Sequence, residues 1–303
     1  MTSGWIILDK PLGLGSTQAV AAVKRNLREA GYGKKVKVGH GGTLDPLATG
    51  VLPIALGEAT KLTGRMLDAS KVYAFTVRFG EQTETLDAEG EVIATSDVRP
   101  TLAEAQAVLP RFTGPIEQVP PAYSALKIDG QRAYDLARAG EDVEMKSRST
   151  TIHALTVLAT EGDPLESLTL RADVSKGTYI RSLARDIAQA LGTCGTVTML
   201  RREKAGPFDL SQAISLDKLN EVGKGARLEQ ILLPLEAGLD DIPALDLGPE
   251  QARAVQQGRV LTGLAFHDGL YCARLGTVPV ALVELSGGDA RVVRGFNLND
   301  VAE

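Results

Sequence analysis

Tyr73-Ala74-Phe75-Thr76-Val77-Arg78-Phe79 alternates large apolar side chains with small or polar ones. That two-residue period belongs to a strand with one face in a core. Leu168, Leu170, Ala172 and Val174 repeat it further along the chain. Helical signals lie between such runs. Ser16 or Thr17 can cap a helix reaching about Ala30, with Val20, Val23 and Leu27 on one face. Thr101 and Glu104 form a capping box ahead of Ala105, Val108 and Leu109. From about Tyr179 to Leu191, Leu183, Ala184, Ile187 and Ala188 make an apolar stripe that Gly192 ends. No regular strand–helix–strand rhythm joins these elements. The expected class is therefore α+β, around a largely antiparallel sheet.

Composition shifts near Leu239-Asp240-Asp241-Ile242-Pro243. A short helix from about Pro249 to Gln257 follows, then apolar runs at Leu270–Leu275, Val280–Leu285 and Arg291–Phe296, punctuated by Gly276 and Gly287-Gly288. This tail suggests a small β-barrel, which divides the chain into a main domain, 1–240, and an appended one, 241–303. With 303 residues, 44% hydrophobic and 23% charged, a disordered or collagen-like chain is excluded. No apolar run suits a membrane span. Met1 to Lys10 lacks the order of a signal peptide, so a cytoplasmic protein is expected. Two cysteines, Cys194 and Cys272, and three histidines suggest neither a disulfide framework nor a structural metal.

The net charge of −5 hides an uneven distribution. Residues 1–80 hold 11 basic against 5 acidic residues, 81–170 hold 7 against 16, and 171–210 hold 7 against 4. If the fold joins the two basic segments, they form a positive face able to steer a polyanion. Uneven solvation of an ordinary surface is the alternative.

Chemistry concentrates in Gly39-His40-Gly41-Gly42-Thr43-Leu44-Asp45-Pro46-Leu47-Ala48-Thr49-Gly50. Pro46 biases Asp45 towards an extended or turn conformation, displaying a carboxylate on a loop. The competing reading is an Asp-Pro turn whose side chain bonds its own backbone. In Ser175-Lys176-Gly177-Thr178-Tyr179-Ile180-Arg181 a strand turns into a helix. Arg181 there opposes the helix dipole, which a carboxylate or phosphate partner would justify; a surface arginine on a neighbouring carbonyl is the alternative. Gly13-Leu14-Gly15-Ser16-Thr17 lacks the ending of a phosphate loop. Neither a His-Glu-x-x-His motif nor a serine elbow occurs. An enzyme of this composition is expected to work without cofactor or metal, through one carboxylate as nucleophile or base.

The stretch from Gly39 to Gly50, continuing through Val51-Leu52-Pro53-Ile54-Ala55-Leu56-Gly57-Glu58-Ala59-Thr60-Lys61, resembles the signature of the bacterial tRNA pseudouridine-55 synthases of TruB type. So do Trp5 to Gly13, Pro120 to Lys127, Lys176 to Arg181, and Leu200-Arg201-Arg202 with Gly206-Pro207-Phe208. These blocks keep family order over roughly the first 210 residues; the tail more weakly resembles the family's PUA-like RNA-binding barrel. The resemblance implies the pseudouridine synthase fold with a central RNA-binding cleft. It also implies conversion of one uridine in the T arm of tRNA to pseudouridine, on a base flipped from its stack. It makes Asp45 the catalytic aspartate, attacking sugar or base or starting an elimination. By the same resemblance Arg181 pairs with Asp45, Tyr73 stacks on the uracil and assists proton removal from C5, Tyr179 and Leu200 line the pocket, and Lys61 adds charge beside it. His40 enters the RNA loop and stacks where bases have left. His153 and His267 match no block and are read as structural.

Two features depart from the family pattern: a long basic link containing Lys34, Lys35 and Lys37, and Gly-Gly-Thr-Leu between His40 and Asp45 where many members have Thr-Gly-Ala-Leu. The acidic segment 81–170 is expected to face away from RNA. The expected partner is tRNA, without guide RNA, membrane or obligate protein partner. A guide-RNA-directed catalytic subunit and a non-catalytic RNA-folding module are the rival readings; an aspartyl-phosphate enzyme fails for want of a Mg²⁺ site.

Overall fold

The alternation at Tyr73–Phe79 buries Phe75, Val77 and Phe79 in a central strand of a nine-stranded sheet. A computed structural model of the protein describes residues 2–32, 35–124, 126–128, 130–140 and 145–298; Lys34, of the basic link, lies outside them. The strands are β1 (Gly4–Lys10), β2 (Val38–His40), β3 (Ala48–Leu56), β4 (Lys71–Phe79), β5 (Glu81–Thr83), β6 (Val92–Thr95), β7 (Gly114–Gln118), β8 (Lys127–Ile128), β9 (Gln131–Arg132), β10 (Arg148–Glu161), β11 (Ser167–Val174), β12 (Gly195–Ala205) and β13 (Phe208–Asp209). Among them run helices α1 (Ser16–Glu29), α2 (Thr63–Asp68), α3 (Leu102–Val108), α4 (Ala133–Arg138), α5 (Ile180–Ala190) and α6 (Leu216–Gly223). The main sheet is ordered β1-β3-β12-β4-β11-β10-β7, with β2 on β3 and β13 on β12. Its pairs are antiparallel except β3–β12, which is parallel.

That parallel pair is the seam of the molecule. It joins the two basic segments, since β3 comes from the first and β12 from the second. The strands approach closely because residue 50 is glycine: φ is +100°, and a Cβ would lie 2.1 Å from the Arg202 carbonyl oxygen. On one side of the seam α5 lays Leu183, Ala184, Ile187 and Ala188 on Phe75, Val77, Leu168 and Leu170. On the other, α1 and α6 cover Ile6, Leu8, Leu52 and Ile54. Tyr73 and Leu200 pack against both cores, so the cleft opens where the two meet.

The capping box at Thr101–Glu104 forms as expected, with Glu104 N donating to Thr101 Oγ1. The first helix differs. Its cap is Gly15, whose N–H donates to the Gln18 side chain at 2.8 Å, because the Ser16 hydroxyl is engaged with residue 44. The buried stripe is Ala19, Ala22, Val23, Asn26 and Leu27, which leaves Val20 half-buried.

The tail folds as β14 (Ala244–Asp246), α7 (Pro249–Gln256), β15 (Gly269–Leu275), β16 (Val278–Ser286) and β17 (Asp289–Gly295). Its strands match the apolar runs, but the expected barrel is not closed. The sheet is open, in the order β14-β15-β16-β17, with an isolated Leu261–Ala290 bridge. Cys272, Leu282 and Phe296 of this tail join the core of Trp5, Ile7, Val51 and Phe208 on the opposite face of β1 and β3. The tail is thus anchored behind the cleft.

Candidate active site

The loop from Gly41 to Leu47 is pinned on several sides. Ser16 Oγ accepts from Leu44 N at 2.8 Å and donates to Leu44 O at 2.9 Å. Lys10 Nζ donates to Pro46 O at 3.3 Å, as well as to Pro11 O and Leu14 O. Arg202 donates from Nη2 to Gly42 O at 3.1 Å, from Nη1 to Thr43 O at 3.3 Å and from Nε to Val51 O at 2.7 Å. The backbone at Asp45 is therefore fixed while its side chain stays 39% exposed. Its carboxylate does not close on its own backbone. Arg181 Nη2 lies 2.9 Å from Asp45 Oδ2.

Arg181 stands in the first turn of α5, 8% exposed. It donates to Thr85 O at 2.8 Å and Tyr123 O at 2.9 Å, and its Nη1 lies 3.5 Å from Asp87 Oδ2. Two carboxylates and two carbonyls thus orient one guanidinium, which answers why an arginine sits at a helix start. Leu86, held at φ +64°, lies between Thr85 and Asp87; such backbone strain is characteristic of functional sites. Asp87 and Glu89 belong to the acidic segment expected to face away from RNA, yet they reach this corner. Burial first, then Asp87 and Asp45, push the Glu89 carboxyl upward.

A cavity of about 310 Å³ is lined by Asp45, Arg181, Tyr73, Tyr179 and Leu200, among others. Burial raises the Tyr179 hydroxyl above its usual value, and Tyr179 N donates to Gln118 Oε1 at 2.8 Å. His40 stands apart at the end of β2, half-buried, with Nδ1 accepting from Gly42 N at 3.4 Å. Burial, then Arg202, lowers its pKa, so it is the neutral ring at pH 7. Lys61 lies outside the cavity lining and donates to Glu58 at 2.7 Å and to the Gly295 carbonyl at 2.8 Å, tying the tail to the body. The cations in the cavity wall that sequence reasoning missed are Lys71 and Arg202. Among the described residues, no group of three or more His, Cys, Asp or Glu is placed to hold a metal ion, and no helix is long and apolar enough to cross a membrane.

Lys10 gives the site a pH dependence. Burial drives its amine down to about 8, against the pull of Asp45 and with the push of Arg202. The folded value lies below the unfolded one, so the unfolded chain binds more protons between about pH 8 and 10.5. The cost of burying this charge is present below about pH 8 and fades towards pH 10.5. Activity has the opposite sign: deprotonation removes a positive charge near Asp45 and a donor from the loop. We expect kcat/KM to fall above about pH 8, and Lys10→Arg to remove the share of that fall carried by Lys10 while leaving any share carried by Lys71, whose amine burial also lowers to about 8. A limb unchanged in Lys10→Arg assigns it to another group.

Comparison with known proteins agrees in extent. Residues 28–180 match the family described as TruB family pseudouridylate synthase (N terminal domain), and residues 181–240 match the tRNA pseudouridylate synthase B C-terminal domain. The tRNA pseudouridine synthase B of Novosphingobium aromaticivorans is 74% identical over 305 residues, covering 100% of both chains. That of Zymomonas mobilis is 60% identical over 294 residues, 97% of this chain and 96% of its own. Among solved structures, a Cbf5-Nop10-Gar1 complex matches with a TM-score of 0.74 and 27% identity, over 98% of this chain and 86% of that one. An H/ACA ribonucleoprotein bound to a substrate RNA containing 2′-deoxyuridine matches with a TM-score of 0.73 and 26% identity, over the same shares.

Proposed function

Because the chain belongs to the TruB family of pseudouridylate synthases, we propose that it isomerises the uridine at position 55 in the T arm of tRNA, with Asp45 as the catalytic residue. The chain is an isomerase, a pseudouridine synthase acting on tRNA. The observation that carries the assignment is one carboxylate ion-paired to one buried arginine in a cavity with an aromatic wall.

The target base sits in a folded loop and must leave its stack to reach Asp45, so the pocket has to replace lost stacking. Tyr73 supplies the ring; Leu200, with Tyr179, supplies the walls. The N1–C1′ bond breaks, the uracil turns within the cavity, C5 bonds to C1′, the C5 proton leaves with help from Tyr73, and N1 gains a proton. All three routes that the resemblance implies start at the Asp45 carboxylate. Arg181 holds that group in place before RNA arrives, its Nη2 lying 2.9 Å from Asp45 Oδ2. A neutral His40 suits insertion among bases better than a charged one.

We assign the chemistry to residues 1–240 and RNA contact to the PUA-like tail, 241–303, in a cytoplasmic enzyme that needs neither guide RNA nor protein partner. The test is incubation of the purified chain with unmodified tRNA transcript, followed by mapping of pseudouridine. We expect one modified position, in the T loop, from protein and RNA alone. Product that appears only with added guide RNA or protein subunits overturns the stand-alone reading.

A further inference from the structure

We propose that Lys71 and Arg202 form a phosphate-binding corner of the cavity, taking a backbone phosphate beside the extruded nucleotide. This rests on the reading of the chain as a tRNA-modifying enzyme and adds a binding contact to it. Lys71 is 8% exposed and Arg202 1%, yet among the described residues neither forms an ion pair with a carboxylate. Asp68, which pulls on Lys71 electrostatically, is itself paired with Lys176 at 2.9 Å. Buried cations without counter-charges are costly, and backbone carbonyls offset that only in part. Burial, then repulsion from Arg202, lowers the Lys71 amine to about 8, which leaves it protonated at pH 7.

Toward the described residues, both groups keep unused donors. An ammonium has three N–H bonds and a guanidinium five. Lys71 gives two, to Leu67 O at 2.7 Å and Ala69 O at 2.6 Å. Arg202 gives three, to the carbonyls already described. What remains can meet an anion at the cavity wall. Placement favours a phosphate of the substrate itself. Lys71 precedes Tyr73 by two residues on β4, and Arg202 follows Leu200 by two on β12, opposite Tyr73 in register. Two residues along a strand return to the same face about 7 Å away, a span that the sugar of one nucleotide bridges. The base platform and the cations then hold two ends of one nucleotide.

The test pairs a protein change with an RNA change. T-arm stem-loops carry a single uncharged methylphosphonate at each linkage flanking the target uridine in turn, with phosphodiester controls of the same sugar. For the wild-type chain we expect one linkage to lower kcat/KM about tenfold to a hundredfold, the scale of a charged hydrogen bond. Lys71→Met should lose a similar factor on the unmodified RNA and nothing further on that methylphosphonate RNA. Losses that multiply, or a wild-type chain indifferent to every flanking linkage, overturn the proposal. Lys71→Gln serves the same cycle should Lys71→Met not melt cooperatively, and the wild-type scan stands without either variant. Dissociation constants from the same RNAs run the cycle independently of turnover. A wild-type chain that binds the stem-loop but makes no pseudouridine thus fails the proposed function without deciding the phosphate contact.

Discussion

Arg181→Met is expected to abolish detectable pseudouridine formation and to lower folding stability by about 3–5 kcal/mol, the cost of stranding one partner of a buried ion pair. Stability is hit because Asp87, 5% exposed, loses the cation facing it, while the carbonyls of Thr85 and Tyr123 lose their donor. Activity is lost because Asp45 loses the group that orients it at 2.9 Å. The two losses separate in the double variant. Arg181→Met with Asp87→Asn should recover part of the stability, since a neutral amide is cheaper to bury unpaired than a carboxylate, but none of the activity. Urea unfolding with single-turnover assays measures both. A single variant as stable as wild type would show that Arg181 does not balance the buried carboxylate.

Different parts of this site were legible to different degrees. The strand that begins at Tyr73 and the α5 stripe follow from period, because burial on one face leaves its mark on local sequence, whereas the pocket roles of Tyr73 and Leu200 came only through the family resemblance. Asp45 and Arg181 were each ambiguous locally, as an Asp-Pro turn and a surface arginine. Ordered motif blocks joined them, and the ion pair between them is a long-range fact that no local pattern encodes. Lys10, Lys71 and Arg202 were illegible for a related reason. Charged residues in or beside strands read as solvent-facing, whereas Arg202 meets carbonyls of loops distant in sequence, and Lys10 meets the carbonyls of Pro11 and Leu14 nearby and of Pro46 farther off. Asp87 was masked by its acidic surroundings, where segment charge suggested an outward face. The tail strands were readable from their apolar runs. Barrel closure was not, because it depends on pairing between first and last strands, and β14 and β17 remain separate edges. Lys61 was placed by its motif, but its partners are Glu58 beside it and Gly295 in the tail.

Asp45→Asn is expected to cut the rate of pseudouridine formation by at least about ten-thousandfold, the scale seen when a catalytic nucleophile is removed. Binding should change little. Asparagine keeps the size of the side chain and an oxygen for Arg181, and losing one negative charge from the cavity favours a polyanion. The loop geometry should also persist, because its anchors are Ser16, Lys10 and Arg202, none of which bonds the Asp45 carboxylate. The decisive measurement is the single-turnover rate of pseudouridine formation by Asp45→Asn on a tRNA transcript, at protein concentrations shown by binding to saturate the RNA. Fully bound RNA with no product over many wild-type half-times is the predicted result. Product formed at anything near the wild-type rate would contradict the assignment of this carboxylate as the group that starts the reaction.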